Sequence, residues 1–130
     1  MGLDMYLYGV VMSFNNHDYN IGGKIDGTEI GYWRKANQIH NWFIENCQGG
    51  IDDCRDHGVY HEDLEELKKR CEEILKNPKE AEDLLPTQEG FFFGSTEYND
   101  WYIQDLKDTI EIIDKALSQD FDYFIYSSSW

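Results

Sequence analysis

Basic residues are scarce in this chain: 11 Lys and Arg stand against 26 Asp and Glu, for a formal net charge of −15. Such a balance repels polyanions, which argues against direct nucleic-acid binding and against adsorption to an anionic membrane. Long apolar runs are also missing. No stretch approaches the ~20 apolar residues that a spanning helix needs. The opening Met1-Gly2-Leu3-Asp4-Met5 lacks the basic and apolar regions of a secretion signal. Gly2 follows Met1, but Tyr6 stands where a myristoylation pattern requires Ser or Thr. Cysteine is limited to Cys47, Cys54 and Cys71, an odd count that fits reduced thiols better than a secreted disulfide framework. Together these absences lead one to expect a cytoplasmic protein. Familiar catalytic signatures are missing too: there is no G-x-S-x-G elbow, H-E-x-x-H helix, dinucleotide fingerprint or Ser-His-Asp order.

Aromatic residues, by contrast, are plentiful at 15%. Each buries about 150–250 Å², so 130 residues suffice for one domain, 1–130, with a core of its own. Residues 3–12 alternate, with Leu3, Met5 and Leu7 on one face and Asp4, Tyr6 and Tyr8 on the other, the period of a strand. A polar loop with Asn15-Asn16-His17-Asp18 and Gly22-Gly23 leads to a second strand near Thr28–Trp33. From Lys35 the period changes. Ala36, Ile39, His40, Phe43 and Cys47 share one face of a helix that Gly49-Gly50 ends. Residues 51–60 read as a loop or short strand. Leu64, Leu67, Cys71, Ile74 and Leu75 mark a helix over about Glu62–Lys76, and Asn77-Pro78 stops it. A short helix over Lys79–Leu85 ends at Pro86, the other of the two prolines. A loop then leads into a long helix over about Asn99–Leu117, and Phe121–Tyr126 closes the chain as a strand. The order β-β-α-α-α-β predicts an α+β fold. Its small antiparallel sheet, an N-terminal hairpin plus a C-terminal strand, packs against three to four helices.

Charge is distributed unevenly. Residues 1–50 carry 5 acids and 3 bases, whereas 51–130 carry 21 acids and 8 bases. An anion site therefore belongs in the first part, and a surface that meets a basic partner belongs in the second. The densest polar-aromatic cluster is Trp33-Arg34-Lys35-Ala36-Asn37 with His40 close behind. Arg34 and Lys35 stand at a strand-to-helix junction, where side chains and helix amides together can hold a phosphate or carboxylate. The plainer reading buries the aromatics and pairs both cations with acids such as Glu29, and it is favoured in so acidic a chain. His40 reads as a general base or metal ligand, or as a buried, hydrogen-bonded histidine. The second is favoured because no partner nucleophile is visible.

The other candidate segment is Leu84–Tyr98, with Thr87, Gln88, Ser95, Thr96 and Tyr98 as tentative ligand contacts. Gly94-Ser95-Thr96 can cap the following helix or hold an anion. One of Phe91, Phe92 and Phe93 is expected to be exposed and able to stack. Cys47, Cys54, His57 and His61 follow a C-x6-C-x2-H-x3-H spacing that is looser than structural zinc favours, so they are weak metal candidates. No cofactor is implied. A nucleic-acid mimic would need unbroken acid, but Glu65 to Lys69 and Glu66 to Arg70 form pairs at i+4.

The segments Glu29–His40 and Leu84–Thr96, together with Met1–Leu7 and Asp100-Trp101-Tyr102, resemble a family of small phage and prophage proteins of unassigned function. Some members carry an automatic label of phosphoglycerate kinase. That label does not suit this chain, which has no glycine-rich nucleotide loop and is far too short for a two-domain kinase. The resemblance implies a mobile-element accessory protein in a bacterial cytoplasm. Three functions follow as expectations. The first is a counter-defence binding protein, acting on a basic host surface or capturing a small anion such as a nucleotide. The second is a small hydrolase or transferase using Arg34, Lys35, Asn37 and His40. The third is an acidic nucleic-acid mimic.

Overall fold

The computed structural model describes residues 2–11, 27–90 and 94–130. The expected polar loop with its Asn15–Asp18 and Gly22-Gly23 stretches, and Phe91–Phe93, lie outside the described residues.

Alternation in the first strand survives as burial. In β1 (Asp4–Val10) Met5 and Leu7 are fully buried, while Asp4, Tyr6 and Tyr8 are only partly covered. β1 pairs antiparallel with β2 (Thr28–Arg34), with a register shift between Leu7 and Tyr8. Its other edge pairs antiparallel with β4 (Tyr123–Ser129), and β4 also pairs with the short β3 (His57–Val59). The sheet order is β2-β1-β4-β3. The fold is α+β, as expected, with one addition: the ambiguous 51–60 segment contributes the fourth strand.

The helices are α1 (Asn37–Cys47), α2 (His61–Lys76), α3 (Ala81–Leu84) and α4 (Asp100–Leu117). The three longer helices, α1, α2 and α4, are amphipathic for a visible reason. Ile39 and Phe43 of α1, Leu64, Leu67, Cys71 and Ile74 of α2, and Tyr102, Leu106 and Ile113 of α4 join Met5, Leu7, Trp33, Phe124 and Tyr126 in one buried cluster. Apolar burial at about 25 cal/mol per Å² makes that cluster the main stabilising term. The acids Glu62 and Asp63 occupy the first turn of α2, where the helix dipole favours them. Asn99 caps α4 by accepting from the Tyr102 amide. Gly31 of β2 has no β-carbon to spare, since one there would overlap Ile112 of α4. That absence lets α4 lie close over the strand that carries Arg34.

Tyr6, Tyr8 and Tyr32 gather on the opposite face of the sheet. Ring centroids lie 5.2 Å apart for Tyr6–Tyr32 and 6.3 Å for Tyr6–Tyr8, and Tyr32 donates its hydroxyl to Asp4. Among the described residues, no helix is long and apolar enough to cross a membrane.

Candidate functional site

The turn from β2 into α1 is sharp. Lys35 takes a left-handed φ of 56°, its amide donates to Leu3 O at 2.8 Å, and its carbonyl accepts from Asn37 N at 3.0 Å. This places Arg34 and Lys35, both exposed, at the rim of a cleft of about 310 Å³. Gln38 of α1, Ser95 of the preceding loop, and Trp101 and Asp105 of α4 also line it.

Hydrogen bonds, from buried to exposed, fix the walls. Trp33 Nε1 donates to Thr109 Oγ1 at 2.8 Å, and Thr109 in turn donates to Asp105 O at 2.6 Å. Gln38, only 2% exposed, donates through Nε2 to Asp105 Oδ2 at 3.2 Å. The loop wall is stapled by Asn37, which donates to Ser95 O at 2.8 Å and accepts from Gln88 N at 2.9 Å. Thr87 Oγ1 donates to Thr96 O at 2.9 Å, the Tyr98 hydroxyl accepts from Thr87 N at 3.2 Å, and Tyr102 donates to Leu85 O at 2.7 Å.

The electrostatics differ from the plainer sequence reading. Among the described residues, no ion pair engages Arg34 or Lys35, with Glu29 or any other acid. Asp105 is pushed up to about 6, first by burial and then by the neighbouring charge of Asp108, against the opposing hydrogen bond from Gln38. Glu97 completes the charged lining. The cleft is therefore bipolar, with two cations and two carboxyl groups around one hollow.

The candidate residues thus separate into three groups. Arg34, Lys35 and Ser95 line the cleft. Asn37, Thr87, Gln88, Thr96 and Tyr98 brace its loop wall through the bonds just described, and Trp33 belongs to the core at 4% exposure. His40 stands elsewhere. It is 1% exposed, with Nδ1 2.6 Å from the Tyr126 hydroxyl and Nε2 3.0 Å from Asp52 Oδ1. Trp130 Nε1 donates to the same Asp52 oxygen at 3.0 Å. Burial lowers the His40 pKa, with Asp52 acting in the other direction. The neutral ring then accepts from Tyr126 and donates to Asp52, which assigns the proton to Nε2. A catalytic role that joins His40 to Arg34 and Lys35 in one pocket is not met by this geometry.

The cysteine-histidine set also disperses. Burial pushes the Cys47 thiol up to about 12, Cys54 is exposed with a φ of 58°, His57 bonds Asp53 at 2.9 Å, and His61 packs edge-on against Phe124. Among the described residues, no three His, Cys, Asp or Glu are grouped to hold a metal. On the acidic helices Glu66 pairs with Arg70 at 3.2 Å and Asp114 with Lys68 at 2.6 Å. The expected Glu65–Lys69 pair is not among the described ion pairs, but the bridges that form still interrupt the acid.

Among the lining side chains, sequence reasoning missed Gln38, Glu97, Asn99, Trp101, Tyr102 and Asp105. Trp101 had a usable signal: it falls outside the inward series Tyr102, Leu106, Ile113 of α4, so a large ring there had to face outward. Asp105 was hidden within the Asp105, Asp108, Glu111, Asp114 recurrence. Comparison with protein-family models, with curated proteins and with solved structures finds no match.

Proposed function

We propose that this chain is a phage-type accessory protein that captures a small anionic ligand in the cleft, so removing it from host use. The observation that carries this reading is the pair Arg34 and Lys35, which share one hollow and are uncompensated by any described ion pair. In a chain of net charge −15, two adjacent exposed cations beside a concavity form a local positive patch that attracts a small anion. The segments 29–40, 84–96 and 100–102, which carry the resemblance to phage and prophage proteins, also supply most of the lining. That resemblance implies an accessory protein in a bacterial cytoplasm, and the small size, the acidity and the lack of a catalytic signature motivate a counter-defence role. The ligand is small because the hollow is small, and the overall charge turns polyanions away.

Calorimetric titration with inorganic phosphate and pyrophosphate at low salt tests the reading. Each charge-assisted hydrogen bond contributes about 1.5–3 kcal/mol, so Arg34→Gln combined with Lys35→Gln lowers affinity tenfold or more. Affinity that ignores both substitutions contradicts it.

A further inference from the structure

Trp101 sits in the first turn of α4, yet it is 79% exposed, and it lines the same cleft as Arg34 and Lys35. A large ring left in water at the mouth of a hollow offers a stacking surface that a bare phosphate would not use. The carboxyl groups point the same way. Asp105 and Glu97 share the cleft with the cations, and negative groups there repel an anion unless the ligand brings hydrogen-bond donors to meet them. Asp105 Oδ2 is engaged by Gln38, and among the described residues Oδ1 accepts no hydrogen bond. Asn99 already occupies the Tyr102 amide at the start of α4, so the anionic end falls to side chains. A hollow of about 310 Å³ lies at the low end of the ~300–1,000 Å³ range of small-molecule sites. That is room for one nucleotide and not for a strand.

We propose that the cleft takes a nucleoside monophosphate, with the phosphate on Arg34 and Lys35, a purine stacked on Trp101, and the ring N–H and amino donors of a guanine-type base directed at Asp105. This rests on the anion-binding reading and names its ligand class. Protonation supplies a further signature. Gln38 from α1 and Asp108 on α4 act on Asp105, whose carboxyl is pushed up to about 6 chiefly by burial, and Arg34 and Lys35 from the β2–α1 junction, Glu97 from the loop and Tyr102 on α4 line the same cleft. An ionised Asp105 accepts from guanine, and a protonated one does so poorly. Taking the ratio of GMP to AMP affinity cancels the titration of the phosphate itself, so the preference for GMP is large at pH 7.5 and narrows at pH 5.

The test is calorimetric titration of the full chain with GMP, AMP and inorganic phosphate at pH 7.5. GMP binds about tenfold or more tightly than inorganic phosphate, the scale of one base–aromatic stack, and about tenfold more tightly than AMP. Trp101→Ala, an exposed position whose replacement leaves the core intact, costs GMP about tenfold, and Asp105→Asn removes the preference over AMP. Inorganic phosphate or AMP binding as tightly as GMP overturns the inference. If phosphate binds through Arg34 and Lys35 with no gain from a base, the anion reading stands and this one falls. If no probe binds, both fall.

Discussion

Gly94 lies directly against Lys35: a β-carbon on Gly94 would stand 3.0 Å from the Lys35 Cβ and 3.4 Å from the Lys35 carbonyl oxygen. Both residues hold left-handed backbone, with φ of 84° and 56°. The loop wall and the cationic wall of the cleft therefore meet at a contact that only glycine permits.

Gly94→Ala is expected to cost about 1–2 kcal/mol, since a side chain is unfavourable in the left-handed region and the added carbon displaces Lys35. Urea denaturation followed by circular dichroism measures the cost. Phosphate affinity should fall together with stability, because the lysine is pushed out of place.

Asn37, at the start of α1, holds two points of the α3–α4 connection that lie far from it in sequence. It is 1% exposed, and its amide group serves Ser95 O and Gln88 N at once. Asn37→Ala leaves both backbone groups short of a partner, at about 1–3 kcal/mol. Hydrogen exchange should speed up at Gln88 and its neighbours while the amides of β1 stay protected. Uniform loss of protection would show that Asn37 supports the whole fold and not this loop.

Asp105 makes the protein less stable at neutral pH. Its folded pKa of about 6 lies above the ordinary value of 3.8, so the folded state holds this proton more tightly than the unfolded state, and stability falls as pH rises from about 4 to 6. Asp105→Asn should therefore stabilise by about 1–2 kcal/mol at pH 7.5, scaled from about 1.4 kcal/mol per pKa unit and reduced for partial exposure. The gain should vanish by pH 4. A constant gain across that range would assign the effect to packing.

His40 behaves in the opposite sense. Burial lowers its pKa below the usual 6.5, so its contribution is intact above pH ~6.5 and is lost as pH falls below it. His40→Phe leaves the Tyr126 hydroxyl buried without this partner, at about 1–3 kcal/mol at pH 7.5. The gap between wild type and variant should narrow on acidification. Thermal melts at pH 5, 6 and 7.5 measure it.

Local pattern made most of the fold legible. The alternation of Leu3, Met5 and Leu7 placed β1, and the Ala36–Cys47 period placed α1, because each signal lies within one element. Boundaries were less legible: the closing strand was expected at Phe121–Tyr126 and runs over Tyr123–Ser129. Its core face reads Phe124, Tyr126, Ser128 opposite Gly9, Leu7 and Met5, and the trailing serines carry little strand signal of their own. Of the cleft, Arg34 and Lys35 were legible as cations at a strand-to-helix junction, and Ser95 as a hydroxyl in the glycine-containing loop ahead of α4. Gln38 and Asp105 were not, since their bond spans 67 positions and no local pattern announces it. His40 showed the same limit: its apolar-face position favoured burial, but Tyr126, 86 positions away, became its partner only through the sheet.

The most direct measurement of the central claim is a map of backbone amide shifts in the full chain on titration with GMP. The account predicts saturable shifts concentrated at Lys35, Gln38, Ser95 and Trp101, and their loss in the Arg34→Gln, Lys35→Gln double variant while the spectrum remains that of a folded chain. Shifts centred on the tyrosine face of the sheet, or unchanged saturation in the double variant, would contradict it.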